Sequence, residues 1–476
     1  MEREAHKLSR RDFLKVAGVA GASVGIAGGL GGLVAACGGT AATTTTAGVT
    51  TTAGVATTAT TAAGATTTAS ASAEMGREIK VGFPSPQTGS IATFGVPDGY
   101  CVDRWKASIG DGLVCGDGVK HPVTFILRDT QSDTNRTAQV AGDLIQNDKI
   151  DVMIVASAPD TVNPTADQCE AQGVPCISDD CPMESFWISR GKDPAKDTYK
   201  WTFNFFWTLE DQSNVYMDMW NKMTTNKIIG VLFPNDADGN GDRTVWPDML
   251  KQGGYTMIDG GAYQDGTEDF TAQISMFKKA GCELVAGDMI PPDFINFWSQ
   301  SLQQGFKPKI ASIMKALLFP EAVEAAGTGA YGLTGDGWWM PTWPFKSSLT
   351  GETCQQLADD FETKLNRQWT QPIGHYILGE WLVDVLKRAK SVDDKQAIID
   401  AVVTTNIPET IRGPINFAAP VAAGTRHQYY NGYNAPFVGG QWVKGAKHPF
   451  DFVVCDNVSA PNIVPVQPME PLVYSS

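Results

Sequence analysis

The stretch whose residue types and spacing come closest to a chemical site is an acidic run in the middle of the chain. Asp236-Ala237-Asp238-Gly239-Asn240-Gly241-Asp242 places side-chain oxygens at alternate positions, as at the start of an EF-hand calcium loop. Such a loop needs a bidentate Glu at its twelfth position, where this chain has Pro247. A turn from a strand into a helix is therefore favoured, with calcium as the alternative.

The sequence has no recognisable pair of a nucleophile and a base that would indicate an enzyme. The part of the chain after residue 37 has no Gly-x-Ser-x-Gly, His-Glu-x-x-His or Walker motif. The five histidines are scattered, and His375, which begins a predicted helix, is expected to be structural. Because no Cys-x-x-Cys occurs either, we expect neither a metal nor a cofactor. Binding, rather than catalysis, is the prediction.

The first 37 residues predict where the protein works. Ser9-Arg10-Arg11-Asp12-Phe13-Leu14-Lys15 matches a twin-arginine export signal, and the uncharged segment after it ends in Ala35-Ala36-Cys37, which resembles a lipoprotein cleavage site. A retained membrane-spanning helix is the alternative. We expect residues 1–36 to be a signal peptide and Cys37 to be lipidated, which would tether the protein outside the cytoplasmic membrane.

Composition and charge exclude one class of partner. The 476 residues carry a formal net charge of −15, and removing the five basic and three acidic residues of the leader leaves −17. Since no cluster of Lys and Arg is present to neutralise phosphates, nucleic-acid binding is excluded. Residues 37–75, mostly Ala and Thr, predict a disordered tether.

Eight cysteines follow Cys37, and an oxidising compartment predicts disulfides among them. Cys101 and Cys115 flank a predicted helix end and loop and are the preferred pair. Cys169, Cys176 and Cys181 crowd one helix–strand–loop region, where two of the three are expected to pair.

Short apolar strands alternate with amphipathic helices along most of the chain. This alternation indicates βαβ units and parallel sheets that are covered on both faces. The aromatic strand Tyr199–Trp207 and the Gly- and Trp-rich segment Tyr331–Met340 interrupt the rhythm. We therefore predict an α/β fold of two lobes that are joined by more than one crossing. The strands predicted in the first series are Ile79–Phe83, Val123–Arg128, Asp151–Val155 and Val174–Ser178.

Several short motifs recur in an order and spacing that are typical of one family, although none is specific alone. They include Ile79-Lys80-Val81-Gly82, Gln87-Thr88-Gly89, Asp129-Thr130-Gln131-Ser132-Asp133, Ile229-Gly230-Val231-Leu232 and Gly413-Pro414-Ile415-Asn416-Phe417. With these motifs the chain resembles the extracytoplasmic solute-binding proteins of ABC importers. Within them it is most similar to the Leu/Ile/Val-binding-like group with the type I periplasmic-binding fold.

The resemblance implies two Rossmann-like lobes with parallel sheets, joined by a three-crossing hinge, with the ligand between them at the carboxyl ends of strands. It implies a monomeric binding protein with no cofactor. The predicted boundaries are 76–203 and 338–410 for the first lobe, 204–337 and 411–455 for the second, and 456–476 for a C-terminal tail.

The resemblance also assigns ligand-binding positions to the loops that face the cleft. In the first lobe these are Thr88, Phe94, Ser157, Ala158, Pro159, Thr161, Ser178, Asp179 and Asp180. In the second lobe they are Trp207, Asp238, Met289, Ile290 and Lys315.

The chain departs from the amino-acid binders of that family in these loops. Pro159 and Pro182 stand where hydroxyl groups for an α-carboxylate are expected, and Met314-Lys315 stands where a carboxylate for the α-ammonium is expected. These differences weigh against a free branched-chain amino acid as the ligand.

The substituted residues suggest other ligands. Asp179, Asp180 and Asp238 suit an amine or a polyhydroxylated molecule, with helix capping as the alternative for the Asp179–Asp180 pair. Lys315 suits a carboxylate, and Trp207 offers a ring for stacking or for hinge packing. The predicted function is capture of a small polar organic ligand by a lipid-anchored protein that delivers it to an ABC permease. A ligand sensor that presents its closed form to a signalling receptor is the alternative.

Overall fold

The computed structural model describes residues 73–193, 197–418 and 431–474. The predicted signal peptide, Cys37 and the tether up to residue 72 lie outside these residues. Within them, no helix has both the length and the apolar character needed to cross a bilayer.

The elements alternate between strand and helix, as the apolar pattern predicts. The strands are β1 (Ile79–Ser85), β2 (Leu113–Val114), β3 (Lys120–His121), β4 (Val123–Asp129), β5 (Val152–Val155), β6 (Cys176–Asp179), β7 (Thr202–Phe206), β8 (Ile228–Leu232), β9 (Thr256–Asp259), β10 (Leu284–Met289), β11 (Ile310–Lys315), β12 (Thr334–Gly337), β13 (Asn406–Ile407), β14 (Ile415–Asn416), β15 (Gly432–Asn434), β16 (Val438–Lys444) and β17 (Phe450–Asp456). The helices are α1 (Ala92–Gly95), α2 (Asp98–Ile109), α3 (Thr134–Gln146), α4 (Ala158–Gln172), α5 (Met183–Ile188), α6 (Leu209–Asn221), α7 (Ala237–Gln252), α8 (Thr271–Ala280), α9 (Pro291–Gln303), α10 (Pro320–Ala326), α11 (Cys354–Leu365), α12 (Ile377–Arg388) and α13 (Lys395–Val403).

Two sheets form the centres of two lobes. The first-lobe sheet has the order β15-β7-β6-β5-β1-β4 and is parallel throughout. The second-lobe sheet has the order β17-β16-β12-β11-β10-β8-β9, with β16 and β17 antiparallel to their neighbours. Every residue of β5, β6, β10 and β11 is buried, because helices cover both faces of each sheet. The fold is the predicted pair of α/β lobes.

Side chains at the helix ends explain where several helices begin. Asp133 caps α3 by accepting a hydrogen bond from the backbone N–H of Arg136, as the sequence predicts. Thr208 and Asp211 form a reciprocal capping box at the start of α6. Helix α4 begins at Ala158, only three residues after the end of β5, so the connection between the two is short.

The chain passes between the lobes three times: after β7, after β12 and after β15. The third crossing differs from the predicted boundary at residue 411. The short strand β15 pairs in parallel with β7 of the first-lobe sheet, from Gly432↔Asn204 to Asn434↔Phe206. The β13–β14 hairpin precedes it, and Phe417 just after β14 stacks on Trp381 of α12. The chain therefore returns to the second lobe after residue 434.

The eight described cysteines are all buried free thiols, so this structure does not contain the predicted Cys101–Cys115 disulfide. Cys101 lies on α2, and its sulfur faces the carbonyl oxygen of Ile373 at 3.9 Å. Cys115 lies between β2 and β3, with its sulfur 3.6 Å from the carbonyl oxygen of Leu113. The two side chains thus have different neighbours. The pairing predicted among Cys169, Cys176 and Cys181 is absent as well.

Candidate functional site

A cleft lies between the lobes, beside the carboxyl ends of strands from both sheets. It encloses about 380 Å³ of space that no atom fills, part of it open to solvent. Loops and helix starts of the first lobe form one wall, and α6, α7 and the ends of β10, β11 and β12 form the other. The lining residues are Phe94, Ala158, Pro159, Asp180, Pro182, Phe206, Trp207, Leu209, Gln212, Asp238, Asp242, Asp288, Met314, Lys315, Leu318, Asp336 and Trp338.

Lys315, the last residue of β11, is the cation of the second-lobe wall. Its Nζ lies 2.9 Å from Oδ2 of Asp236, 2.9 Å from Oδ2 of Asp238 and 3.1 Å from Oδ2 of Asp288. Burial alone would lower the pKa of Lys315, but the three carboxylates outweigh it and raise that pKa well above its ordinary value. Lys315 is therefore charged and already paired, which leaves it poorly suited to a carboxylate of the ligand.

The acidic run at residues 236–242 forms the first turns of α7. Asp236 is the N-cap, and its side chain accepts a hydrogen bond of 2.7 Å from the backbone N–H of Gly239. At position 239 a Cβ atom would lie 2.1 Å from the carbonyl oxygen of Pro234, so only glycine fits this approach. These contacts support the strand-to-helix interpretation. Asp238 and Asp242, one turn apart, both face the cleft.

A second group of polar side chains lies deeper in the same wall. Asp336 of β12 accepts a hydrogen bond of 2.6 Å from the hydroxyl of Tyr216 and contacts Nε2 of Gln212 at 3.4 Å. Burial raises the pKa of Asp336 to about 7. Gln212 and Asp242 are both fully buried, yet Oε1 of Gln212 and Oδ1 of Asp242 have no hydrogen-bond partner. These two oxygens are free to accept hydrogen bonds from a ligand.

His375 organises the first-lobe wall from behind. Its Nδ1 lies 2.8 Å from Oδ1 of Asp98, and its Nε2 lies 3.1 Å from Oδ2 of Asp180. Burial alone would lower the pKa of His375, but the hydrogen bonds with Asp180 and Asp98 raise it to about 10. The imidazolium thus holds Asp180 in place. Ser85 donates a hydrogen bond of 2.6 Å to the other oxygen of Asp98.

The neighbouring aspartate is paired in the same way. Asp179 contacts the guanidinium of Arg412, and both side chains are completely buried. The guanidinium also lies over the rings of Phe205, Phe206 and Trp338, at 5.1, 5.2 and 4.9 Å. Asp179 therefore belongs to the support of the cleft and does not line it.

Four residues at or beside the cleft have strained backbone. Ser157, Ala158, Asp180 and Lys315 all have positive φ, between 51° and 80°, although none is glycine. Such conformations cost about 1–3 kcal/mol each and are typical of ligand sites. The N–H of Ala158 donates a hydrogen bond of 2.9 Å to the carbonyl oxygen of Asp180, which joins the start of α4 to the loop after β6.

About half of the ligand positions implied by the sequence line the cleft. Those that line it are Phe94, Ala158, Pro159, Asp180, Trp207, Asp238 and Lys315. Those that do not are Thr88, Ser157, Thr161, Ser178, Asp179, Met289 and Ile290.

The side chains of the second group make their contacts away from the cleft. Thr88 donates a hydrogen bond of 2.7 Å to Asp129 near the surface, and Ser178 contacts Asn204 within the first-lobe sheet at 2.9 Å. Met289 is buried in the second-lobe core, because successive side chains of β10 alternate and Asp288 faces the cleft instead.

Several functional residues were absent from the sequence assignment. Asp288 and Asp336 are acidic residues inside otherwise uncharged buried strands, and Asp242 lies one helical turn after Asp238. Each of these local signals was available. Gln212 and His375 carried no comparable signal, because their partners lie far away in the sequence.

Two α/β lobes with three crossings and a polar cleft between them define a type I periplasmic binding protein. A family model described as "Periplasmic binding protein" matches residues 78–433, and one for the twin-arginine translocation signal matches residues 7–27. The chain belongs to the periplasmic binding protein family, and its signal indicates export from the cytoplasm. The family and the fold are those of binding proteins, not of enzymes.

Solved structures with the same fold come from several bacteria. A leucine-binding protein from Thermotoga maritima is 18% identical, with a TM-score of 0.66, covering 80% of this chain and 99% of its own. The LivJ protein of Streptococcus pneumoniae, in complex with isoleucine, is 15% identical, with a TM-score of 0.63. The match covers 79% of this chain and 99% of LivJ. A solute-binding protein of Rhodopseudomonas palustris, in complex with 3,4-dihydroxybenzoic acid, is 18% identical, with a TM-score of 0.62, covering 81% and 99%.

Proposed function

We propose that this protein is a lipid-anchored receptor that captures a small polar organic solute between its lobes and delivers it to an ABC importer. The observation that carries the proposal is the cleft itself, where buried polar groups of both lobes face one partly open space. A ligand that contacts both walls favours the closed arrangement by its differential affinity for it. The membership of the chain in a family of solute-binding proteins supports the same role.

Lipid anchoring is proposed at Cys37, behind the export signal. The test compares the full-length chain with its Cys37→Ser variant, and Ser23→Ala serves as a control because it changes the leader outside the twin-arginine motif and leaves the cysteine. We expect acyl labelling and membrane sedimentation of the unaltered protein, and release of the Cys37→Ser variant into the soluble fraction. A Cys37→Ser protein that still sediments with membranes would contradict the anchor.

Delivery is tested in cells that express the chain together with candidate ABC permease and ATPase genes. Ligands identified by thermal shift of the purified protein are radiolabelled, and their uptake is measured with and without the gene for this protein. Mass action raises the melting temperature of a protein that binds ligand only when folded. We expect uptake to depend on the receptor and on ATP. Uptake that is unchanged without it, despite ligand binding, would favour signalling instead.

A further inference from the structure

The cleft holds hydrogen-bond acceptors that the protein does not use. Oε1 of Gln212 and Oδ1 of Asp242 both belong to fully buried side chains that line the cavity, and neither has a partner. A buried acceptor without a partner destabilises the folded protein. Nε2 of Gln212 contacts the carboxylate of Asp336, which turns Oε1 away from that group. Hydrogen-bond donors on a ligand would satisfy both oxygens.

The charged residues of the lining also favour a ligand that carries hydrogen-bond donors and positive charge. Five aspartates line the cavity, and Lys315 is the single lysine among the lining residues. Outside the lining, Asp160 of α4 approaches Asp236 and Asp265 of the second lobe, with one oxygen from each residue lying within 4.8 Å of the others. Burial, followed by repulsion from Asp236, raises the pKa of Asp160 to about 7. A positively charged ligand would relieve this excess of carboxyl groups.

Among the described residues that line the cleft, no cation is free to receive a carboxylate of the ligand. Lys315 is surrounded by three aspartates, and His375 is held between two. Arg412 pairs with Asp179, lies against the rings of Phe206 and Trp338, and does not line the cavity. The start of α4 faces the cleft, but Ala158 already donates its N–H to Asp180, Pro159 has none to donate, and the carboxyl group of Asp160 in the first turn opposes an anion there.

We propose that the cleft takes an organic amine or amidine without a carboxylate, whose protonated nitrogen donates to Gln212 and Asp242. Its carbon skeleton would lie against the apolar lining, which includes Phe94, Trp207 and Trp338. This assignment rests on the proposed role in solute capture and names the chemical class of the solute. Asp288 lies on the same wall and would supply further negative charge.

The test uses amino acids and the amines that share their side chains but lack the carboxylate. Titration calorimetry of the mature protein compares arginine with agmatine, lysine with cadaverine, and leucine with isoamylamine; isoamyl alcohol is the uncharged control. We expect at least one amine to bind ten times more tightly than its parent amino acid. Equal or tighter binding of every parent amino acid would overturn the proposal, and so would millimolar amines that do not bind.

Asp242→Asn is the matched variant, because it keeps the shape of a buried side chain and removes its capacity to carry charge. Asp248→Asn is the control, since Asp248 lies exposed on the same helix. We expect Asp242→Asn to weaken amine binding at least tenfold and Asp248→Asn to leave it unchanged. Gln212→Met is a second variant with the same expected direction, in case Asp242→Asn does not fold.

Amine binding that is unaffected in both site variants would place the amine elsewhere and overturn the assignment. The result also separates this inference from the broader proposal. Tight binding of a polyol or an organic acid, coupled to uptake, would leave solute capture and delivery intact while rejecting the amine. Amine binding without receptor-dependent uptake would support the amine assignment and reject delivery to an importer. The organic ligand would also be rejected if calcium raised the melting temperature and prevented the amines from binding.

Discussion

The two walls of the cleft differ in how their carboxylates are paired with cations. In the first lobe, each aspartate at the end of β6 has a cation of its own: Asp179 pairs with Arg412 and Asp180 with His375. In the second lobe, Lys315 is shared by three aspartates, while Asp242 and Gln212 keep unpartnered oxygens. The first wall is therefore built to hold its shape, and the second wall retains unused capacity to bind.

The largest expected effect comes from breaking the first wall. His375→Gln keeps a polar side chain but removes the charge between Asp98 and Asp180, which are both buried. Removing one partner of a buried ion pair costs about 3–5 kcal/mol. We expect a loss of this size in the free energy of unfolding, measured with urea at pH 7. His448→Gln, at a partly exposed ion pair with Glu362, is the control and should cost less than about 1 kcal/mol.

A smaller loss is expected from breaking the charged centre of the second wall. Lys315→Met leaves Asp236, Asp238 and Asp288 close together without a cation. We expect a loss of about 2–4 kcal/mol at pH 8, less than for a single orphaned charge because the carboxyl groups can take up protons. The loss should shrink at pH 5. A Lys315→Met protein that is equally destabilised at both pH values would show that these aspartates do not repel one another.

The pH dependence of stability separates the groups that support the fold from those that bind. The folded-state pKa of His375 is about 10, above its ordinary 6.5, so its contribution is complete below pH 6.5 and is lost as the pH rises towards 10. Buried Glu380, with a pKa raised to about 8, also makes the native state hold its proton more tightly than the unfolded state. Both groups make stability fall as pH rises.

We therefore expect the melting temperature of the ligand-free protein to decrease from pH 6 to pH 9. Each proton involved contributes up to about 1.4 kcal/mol per pH unit. Differential scanning calorimetry checks the slope, which His375→Gln should flatten above pH 8. Amine affinity should change in the opposite direction over this range, because burial raises the pKa of Asp242 and a bound ammonium displaces its proton. Parallel changes in stability and affinity would contradict the division of roles.

The smallest effect is expected at the apolar part of the first wall. Phe94 lines the cleft and packs edge-on against Phe319, with ring centroids 4.9 Å apart. Phe94→Leu preserves apolar contact and should change amine affinity less than about threefold, compared with at least tenfold for Asp242→Asn. Calorimetry on both variants makes the comparison direct. A larger effect at Phe94 would assign the main binding contact to the first lobe.

Local patterns were sufficient for the two-lobe fold. Apolar runs such as Ile79–Ser85 and helix caps such as Asp133 are encoded by residues close in sequence. The strand Gly432–Asn434 has three residues and no apolar run, so only its pairing with β7 reveals that it belongs to the first lobe. The third crossing was misplaced for this reason.

The ligand positions depended on contacts that no local pattern encodes. Asp180 and His375 are 195 positions apart, and Asp179 and Arg412 are 233 apart. The sequence showed a pair of aspartates where a cleft was expected, but not the cations that already hold them. By contrast, Asp288 within the buried strand β10 was a local signal of a functional carboxylate.

Trp338 lies where the chain crosses between the lobes for the second time. It follows β12 at the second crossing, lines the cleft, and stacks on His375 with an angle of 14° between rings whose centroids are 6.0 Å apart. A protonated imidazole in stacking contact quenches indole fluorescence. Emission from Trp338 therefore reports the protonation of His375 and its contact with the indole, and it can be followed optically without an added dye.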